Sequence, residues 1–258
     1  MQFVCNLHTH THRCRHADPN ERAYIENALA GGIDTLGFSD HAPYVFEDGY
    51  YSNYRMFPED QEGYVRTLEA LREEYRGKID IKIGYEAEYY PKYFDAFLKM
   101  IRRFPCDYMI LGQHFLQNET NPRIYSGECT EDPERLETYV NQVCEAIDTG
   151  LFTYIAHPDL CCFTGGKAIY DELYSKMIIA ARDAGLPLEI NLLGLREKRF
   201  YPDEKFFELC GKLGAPVCIG SDAHSADTVT DPESYAKALE WCRRYNLILI
   251  DRPVLRPV

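Results

Sequence analysis

The 258-residue chain lacks several features that mark specialised classes of protein. Its longest apolar runs, such as Leu247 to Ile250, are far shorter than the ~20 residues needed to span a bilayer. The first six residues carry neither the basic segment nor the apolar core of a signal peptide. The sequence contains no repeat, low-complexity tract or Pro/Gly-rich linker. We therefore expect a cytoplasmic protein without a membrane partner, folded as a single domain over residues 1–258.

Basic residues are in short supply, since 28 Lys and Arg stand against 41 Asp and Glu, and the formal net charge is -13. Nucleic-acid backbones attract basic surfaces, so this balance disfavours a nucleic-acid-binding protein. A small anionic substrate stays compatible with it, because one or two Arg residues and bound metal ions reverse the local field. The composition carries no signal for an oligomeric state.

The ten cysteines include no Cys-x-x-Cys pair. Cys5, Cys144 and Cys218 lie inside apolar runs, which is typical of reduced thiols in a core. Cys161 and Cys162 are adjacent, and adjacent cysteines rarely bridge each other. We expect most of the ten to be free thiols.

What the chain does have is an alternation of short apolar runs with longer amphipathic stretches. Several of the stretches begin near a Pro and several end at a Gly, which are signals for the start and the end of a helix. Seven strand–helix units predict a parallel α/β sheet, and this chain length favours closure into a barrel over an open, doubly wound sheet. The predicted strands cover residues 2–7, 35–38, 80–84, 108–111, 152–156, 188–192 and 216–219, and the predicted helices cover residues 20–30, 58–75, 91–104, 133–149, 171–184, 202–213 and 232–245.

Histidine is also sparse, but six of the eight histidines directly follow predicted strands. In a parallel barrel the carboxyl ends of the strands share one rim, which is where active sites form. Residues two apart in an extended segment point the same way, and this spacing recurs in three pairs. The pairs are His8 and His10, Glu86 and Glu88, and Asp222 and His224.

Imidazole nitrogens combined with carboxylate oxygens form a ligand set for Zn, Mn or Fe rather than for Ca or Mg. One such ion takes ~4–5 ligands including water, so nine candidates predict two or three divalent ions. A lone His after a strand is more often structural than a ligand; the joint occurrence of many favours a metal site. The candidate ligands are His8, His10, His16, His41, Glu86, His114, His157, Asp222 and His224.

The order of these motifs resembles the polymerase-and-histidinol-phosphatase (PHP) superfamily, over nearly the whole chain. The resemblance implies a distorted (β/α)7 barrel with a dinuclear or trinuclear metal site. The motifs that carry it are Leu-His-Thr-His-Thr from residue 7, Ser-Asp-His from 39, Gly-Tyr-Glu from 84, Gly-Gln-His-Phe from 112, His-Pro-Asp from 157 and Gly-Ser-Asp-Ala-His from 220.

Within the superfamily, three segments resemble the monofunctional histidinol-phosphatase branch: Thr-His-Arg-Cys-Arg-His from residue 11, His-Ala-Pro from 41, and Glu-Ile-Asn-Leu-Leu-Gly-Leu-Arg from 189 with Tyr-Pro at 201. Three features depart from that branch: the shortened Gly-Gln-His-Phe segment, His12, and Asp18 in place of a nearby Gly. The branch implies hydrolysis of L-histidinol phosphate to L-histidinol and phosphate in histidine biosynthesis. A PHP phosphoesterase for another small phosphate ester or nucleotide is the alternative.

The resemblance also implies roles for the ligands, with a hydroxide that bridges two ions as the nucleophile. One ion would be held by His8, His10, Glu86 and Asp222, a second by Glu86, His114 and His157, and a third by His16, His41 and His224. Arg196 would hold phosphate oxygens together with the third ion, because a planar guanidinium donates two hydrogen bonds at once.

The alkoxide leaving group needs a proton as its bond breaks, and Asp159 is the candidate acid, with orientation of a His ligand as its alternative role. Glu88 would meet a substrate ammonium or form a salt bridge elsewhere. The aromatic segment 43–57 would either wall the substrate pocket or pack over the barrel rim. His12 is expected to be a surface or loop residue.

Overall fold

The structure is a computed structural model that describes residues 2–120 and 123–258. Its strands are β1 (Cys5–Asn6), β2 (Thr35–His41), β3 (Asp80–Ala87), β4 (Tyr108–Leu111), β5 (Leu188–Asn191), β6 (Pro216–Gly220) and β7 (Ile248–Leu249). Its α-helices are α1 (Glu21–Ala30), α2 (Gln61–Glu74), α3 (Phe94–Ile101), α4 (Pro133–Asp148), α5 (Lys167–Asp183), α6 (Leu192–Glu197), α7 (Glu204–Leu213) and α8 (Pro232–Arg244).

The strands pair in parallel, as the alternation predicts. β1 to β4 form one sheet in chain order, and β5 to β7 form another. Ile155 joins the two sheets by bridging to Leu111 of β4 and to Leu188 of β5. On the other side, Thr9 bridges to Ala223, just beyond the ends of β1 and β6. These bridges close a ring of seven chain segments, which confirms the expected distorted (β/α)7 barrel.

The boundaries of the strands differ from the sequence prediction in ways that have physical causes. The predicted strand 2–7 shortens to Cys5–Asn6, because the Asn6 side chain replaces backbone pairing: its Oδ1 accepts from the N–H groups of His8 and Ser221. The predicted strand 152–156 is reduced to the bridge at Ile155. The helix α6 was not predicted; it begins where Asn191 Oδ1 accepts from the Gly194 N–H.

The barrel interior is filled with side chains below the rim. Its small core contains Leu7, Tyr108, Ile110 and Tyr154 among other buried residues. Tyr108 crosses the interior and donates to the carbonyl of Leu7 at 2.7 Å. It fits because Gly84 has no side chain: a Cβ atom there would lie 2.4 Å from the Tyr108 ring. The helices pack on the outside of the ring, so open space for a ligand lies at the rim.

Cys129 and Cys162 form a disulfide, a pairing that the sequence reasoning did not anticipate. The other eight cysteines are free, which agrees with the expectation for most of the ten. The disulfide joins the long connection after β4 to the connection after Ile155. Across the described ranges, no helix is long and apolar enough to cross a membrane.

Candidate metal centre

The centre of the rim is occupied by Glu86, whose side chain is 1% exposed. Its Oε1 atom lies 2.8 Å from Nε2 of His157 and 3.4 Å from Nε2 of His114. Its Oε2 atom faces the opposite way, towards three other imidazoles. That oxygen lies 3.0 Å from Nδ1 of His41 and 3.6 Å from Nε2 of both His8 and His10.

Asp222, just after β6, is the second carboxylate of the cluster. Its Oδ1 atom lies 3.2 Å from Nε2 of His10 and 3.5 Å from Nε2 of His8. Burial acts to raise the pKa of Asp222 and of Glu86, but the surrounding imidazoles outweigh it and hold both pKa values well below the ordinary range. Both groups are therefore ionised and able to bind cations.

His16 and His224 face each other with Nε2 atoms 3.0 Å apart. Their Nδ1 atoms donate to backbone carbonyls, at 2.8 Å to Cys14 and 3.2 Å to Asp222. Burial, the largest cause in both cases, lowers the pKa of each ring, so both are neutral. With Nδ1 protonated, each Nε2 carries a lone pair. Two facing lone pairs repel unless a shared cation lies between them.

Two of the ring nitrogens that point away from the cluster have carboxylate partners that fix their orientation. His8 Nδ1 lies 2.8 Å from Oε1 of Glu189, and His114 Nδ1 lies 3.0 Å from Oε1 of Glu88. Oε2 of Glu189 also accepts from the His157 backbone N–H at 3.0 Å. Such outer carboxylates hold a metal-binding imidazole in the tautomer that directs its free nitrogen to the ion.

Two glycines make room for the carboxylates. A Cβ atom at Gly112 would lie 2.0 Å from Oε1 of Glu86. A Cβ atom at Gly220 would lie 1.9 Å from Oε1 of Glu189. The backbone at the carboxyl ends of β4 and β6 thus lies close to these oxygens.

The backbone at two of the candidate ligands is also unusual. His157 has φ 30° and Asp222 has φ 47°, in the left-handed region that non-glycine residues rarely adopt. Such conformations cost on the order of 1–3 kcal/mol and persist where the surrounding structure imposes them. Here they turn both side chains onto the rim.

Many buried polar atoms in this cluster have no hydrogen-bond partner among the residues that the structure describes, although buried polar atoms in proteins are almost always paired. They share one location, and they are lone-pair donors of the kind that bind divalent ions. Three-residue groups whose ligand atoms lie within 4.8 Å of one another include His8–His10–Asp222, His8–Glu86–His157 and His16–His41–His224. The unpaired atoms include Nε2 of His8 and of His10, Nδ1 of His41, Oε2 of Glu86 and Oδ1 of Asp222. The residues present therefore fit a cluster of divalent metal ions.

A cavity of about 690 Å³ opens above the cluster. Besides the candidate ligands, its walls include the aromatic rings of Tyr54, Tyr125 and Tyr201. Two arginines, Arg123 and Arg199, line the same cavity. The cavity thus combines a potential cation cluster with cationic side chains, an arrangement that suits an anionic ligand.

The sequence profile of the family described as PHP domain matches residues 6–192, which covers β2 to β5 and most of the cluster. The chain belongs to the PHP domain family.

Named relatives of this PHP domain include phosphatases. A protein of Deinococcus radiodurans described as a probable histidinol-phosphatase is 30% identical over 237 residues, 89% of each chain. The histidinol-phosphatase of Bacillus subtilis is 25% identical over 264 residues, covering 91% of this chain and 98% of its own.

A solved structure shares the fold of this PHP domain. The histidinol phosphate phosphatase of Lactococcus lactis, crystallised with zinc, L-histidinol and phosphate, superposes with a TM-score of 0.74 at 19% identity. The match covers 97% of this chain and 96% of that one.

The structure gathers all nine predicted ligands of the PHP domain at the rim, but it does not bring Asp159 and Arg196 into the cavity. Asp159 is buried: its Oδ2 accepts from the backbone N–H of Asp203, which lies just before α7. Arg196 pairs with Asp231 at the start of α8, with 2.6 Å between Nη1 and Oδ2. Arg199 lines the cavity, whereas the guanidinium of Arg196 faces Asp231, so the phosphate-binding role of Arg196 stays a prediction without a contact in this structure.

The remaining expectations have mixed outcomes. His12 is 44% exposed and lies 3.6 Å from Glu21, as expected for a surface residue. Glu88 forms the expected salt bridge elsewhere, to Arg55, and so is not free for a substrate. Segment 43–57 contributes both to the cavity wall and to packing around the barrel. Tyr54 lines the cavity, while Tyr44 is buried and stacks on Phe97 with 4.5 Å between ring centroids.

Proposed function

We propose that this PHP domain is a metal-dependent phosphomonoesterase whose substrate is L-histidinol phosphate. The observation that carries the proposal is the set of unpaired imidazole and carboxylate atoms at the floor of the cavity. The PHP family membership and the activity named for the Deinococcus and Bacillus relatives support the substrate. The Lactococcus structure was crystallised with zinc and with L-histidinol and phosphate, which are the two products of that reaction.

Three ligand groups would hold two or three ions of Zn, Mn or Fe. Glu86 would lie between two of them, because its two oxygens face different histidines. His16, His41 and His224 would hold the third. Bound divalent ions would act as Lewis acids on the phosphoryl oxygens and lower the pKa of water towards ~7.

The residues of the chain itself would bind and orient the ester. Arg199 and Arg123 would donate hydrogen bonds to phosphate oxygens, in the role that the sequence reasoning gave to Arg196. Arg199 is held for this by Oε2 of Glu197, at 2.6 Å, and by the hydroxyl of Tyr201, at 2.7 Å. These contacts limit the freedom that the guanidinium would lose on binding phosphate.

The alcohol part of L-histidinol phosphate carries an ammonium group and an imidazole. The cavity offers aromatic faces at Tyr54 and Phe115 and a carboxylate at Glu128. These groups would stack on the imidazole and attract the ammonium. Glu88 and Asp159 do not take part in this binding, because Glu88 is paired with Arg55 and Asp159 accepts from the backbone N–H of Asp203.

The test is phosphate release from L-histidinol phosphate, measured beside a panel of other phosphomonoesters and before and after chelation. Selective turnover of L-histidinol phosphate that chelation abolishes is the expected result. Metal-dependent turnover of another ester, with little turnover of L-histidinol phosphate, would support phosphomonoesterase activity but exclude L-histidinol phosphate as the substrate. That alternative has its own support, because a relative from Acetivibrio thermocellus, 25% identical over 251 residues, is described only as a probable phosphatase.

A further inference from the structure

Arg55 lies in the aromatic segment 43–57, outside every motif of the metal centre, and its side chain is only 2% exposed. All five of its N–H groups have partners. Nε donates to Oε2 of Glu119 at 2.8 Å, and Nη1 donates to the carbonyl of Ala42 at 2.8 Å and to Oε2 of Glu88 at 3.0 Å. Nη2 donates to Oε1 of Glu88 at 2.9 Å, to Oε2 of Glu119 at 2.6 Å and to the Tyr54 hydroxyl.

Glu88 connects this arginine to the metal centre. Its two oxygens accept from both Nη atoms of Arg55, and Oε1 also faces Nδ1 of His114 at 3.0 Å. A proton on that Nδ1 leaves Nε2 of His114 as a lone-pair donor, 3.4 Å from Oε1 of Glu86. The position of the Glu88 carboxylate therefore sets both the tautomer and the ring plane of His114.

Glu88 would not hold this position without a cation. Its side chain is 1% exposed, and that of Glu119, which shares Arg55 with it, is fully buried. Two buried carboxylates repel each other unless a charge between them satisfies both. The planar fork of arginine binds one carboxylate through two donors while contacting the other, whereas a lysine ammonium is a compact charge without this fixed geometry.

The same arginine also reaches the other side of the cluster. It donates to the carbonyl of Ala42, the residue that follows His41 in the sequence. Its partner Tyr54 packs against the rings of His41 and His114. Arg55 thus contacts the supports of two candidate ligands that come from different strands.

We propose that Arg55 is a positioning residue of the metal centre, which acts through Glu88 to hold His114 in its metal-binding orientation. The inference rests on the metal centre of the proposed function, but it does not depend on which phosphate ester is the substrate. It assigns to segment 43–57 a role in metal affinity besides its place in the cavity wall.

The test is a titration of metal-free protein with Zn²⁺ in competition with a chromophoric chelator, with a Co²⁺ absorption spectrum as a second readout. Arg55→Lys retains the positive charge but lacks the planar, forked guanidinium group. We expect it to weaken the affinity of one Zn²⁺ by about 10–100-fold and to change the Co²⁺ spectrum. Arg196→Lys is the matched control, because its arginine forms a part-buried ion pair outside the cavity, and we expect wild-type affinity.

Two further variants keep the test decisive. Glu119→Gln leaves both bonds from Arg55 to Glu88 in place, so affinity should stay within about threefold of wild type. If Arg55→Lys does not fold, the double variant Arg55→Lys/Glu119→Gln replaces it, because the lysine ammonium then has only the Glu88 carboxylate to pair with. The double variant should show the same loss of Zn²⁺ affinity.

Wild-type Zn²⁺ affinity and an unchanged Co²⁺ spectrum in a folded Arg55→Lys or double variant would overturn the inference, as would an equal loss in Arg196→Lys. These titrations contain no substrate. A failure of the wild-type protein to bind Zn²⁺ would instead contradict the proposed metal centre. A failure to hydrolyse L-histidinol phosphate would contradict only the proposed substrate.

Discussion

Oε1 of Glu189 lies 2.8 Å from Nδ1 of His8, and both side chains are completely buried. The other oxygen of Glu189 accepts from the backbone N–H of His157 and from Nδ2 of Asn191, each at 3.0 Å. Asn191 in turn donates to Oδ2 of Asp222 at 3.1 Å. One carboxylate outside the ligand set is therefore linked to three of the candidate ligands.

This arrangement predicts that Glu189→Gln weakens metal binding although it removes no ligand. Both oxygens of Glu189 accept hydrogen bonds, so the amide group of Gln would point an NH₂ at a donor on one side. We expect Zn²⁺ affinity to fall by about 10–100-fold, measured by chelator competition on metal-free protein. Glu74→Gln, at an exposed ion pair with Arg22, is the control and should bind like wild type. Equal affinity in all three proteins would show that Glu189 does not support the centre.

Arg199 lines the cavity and Arg196 does not, so we predict different kinetic effects when each is replaced. Arg199→Ala should raise KM for L-histidinol phosphate about tenfold or more, because a hydrogen bond to a charged group contributes about 1.5–3 kcal/mol. Arg196→Ala should leave KM within about twofold, since its guanidinium faces Asp231. Steady-state kinetics on both variants decides the matter. The reverse pattern would restore the assignment made from the sequence.

Asp159 predicts a dependence of stability on pH. Burial is the largest cause that raises the pKa of its carboxyl, to about 7. The folded state therefore favours the protonated form, and this group lowers stability as pH rises from its unfolded pKa near 4 up to about 7. Asp159→Asn lacks that dependence. Between pH 5 and pH 8, the stability of the variant should rise relative to wild type by about 2–3 kcal/mol.

Urea denaturation of both proteins at the two pH values measures this difference. The same variant should keep phosphatase activity at pH 7, because Asp159 does not reach the cavity. A difference in stability that is independent of pH would contradict the raised pKa. Loss of activity in a folded, metal-loaded variant would instead support the acid role considered from the sequence.

The Cys129–Cys162 disulfide predicts a specific count of thiols. Titration of denatured protein purified without reductant should report the eight thiols of the free cysteines. Full reduction before titration should raise the count to the ten cysteines of the sequence. A count of ten before reduction would show that the two sulfurs are not bonded in the purified protein.

The positions of the nine candidate ligands could be predicted from the sequence for a topological reason. The carboxyl ends of parallel strands meet at one rim, so residues from 8 to 224 converge without any knowledge of loop conformation. The spacing of two residues places both His8 and His10 on Asp222, at 3.5 and 3.2 Å. Segments that are extended and hydrogen-bonded to neighbours leave little freedom for such side chains.

Asp159 and Arg196, the two predicted site residues that do not line the cavity, lie where the chain turns. Asp159 follows His157, whose positive φ redirects the backbone. Arg196 lies on α6, a six-residue helix that ends at Lys198 in the left-handed region, and this turn carries Arg199 to the cavity. Arg55 and the Cys129–Cys162 pair depend on contacts between distant loops. Short-range periodicity and strand position carry no information about such contacts.

The most direct test of the metal centre is the metal content of the purified protein and of its Glu86→Gln variant, with Glu119→Gln as a buried control. We expect two or three divalent ions per chain in wild type and in the control. In Glu86→Gln, with circular dichroism unchanged, we expect the loss of at least one ion together with the loss of phosphate release, because both oxygens of Glu86 face histidine ligands. Equal metal content in wild type and Glu86→Gln, or phosphate release that survives complete chelation, would contradict the proposed centre.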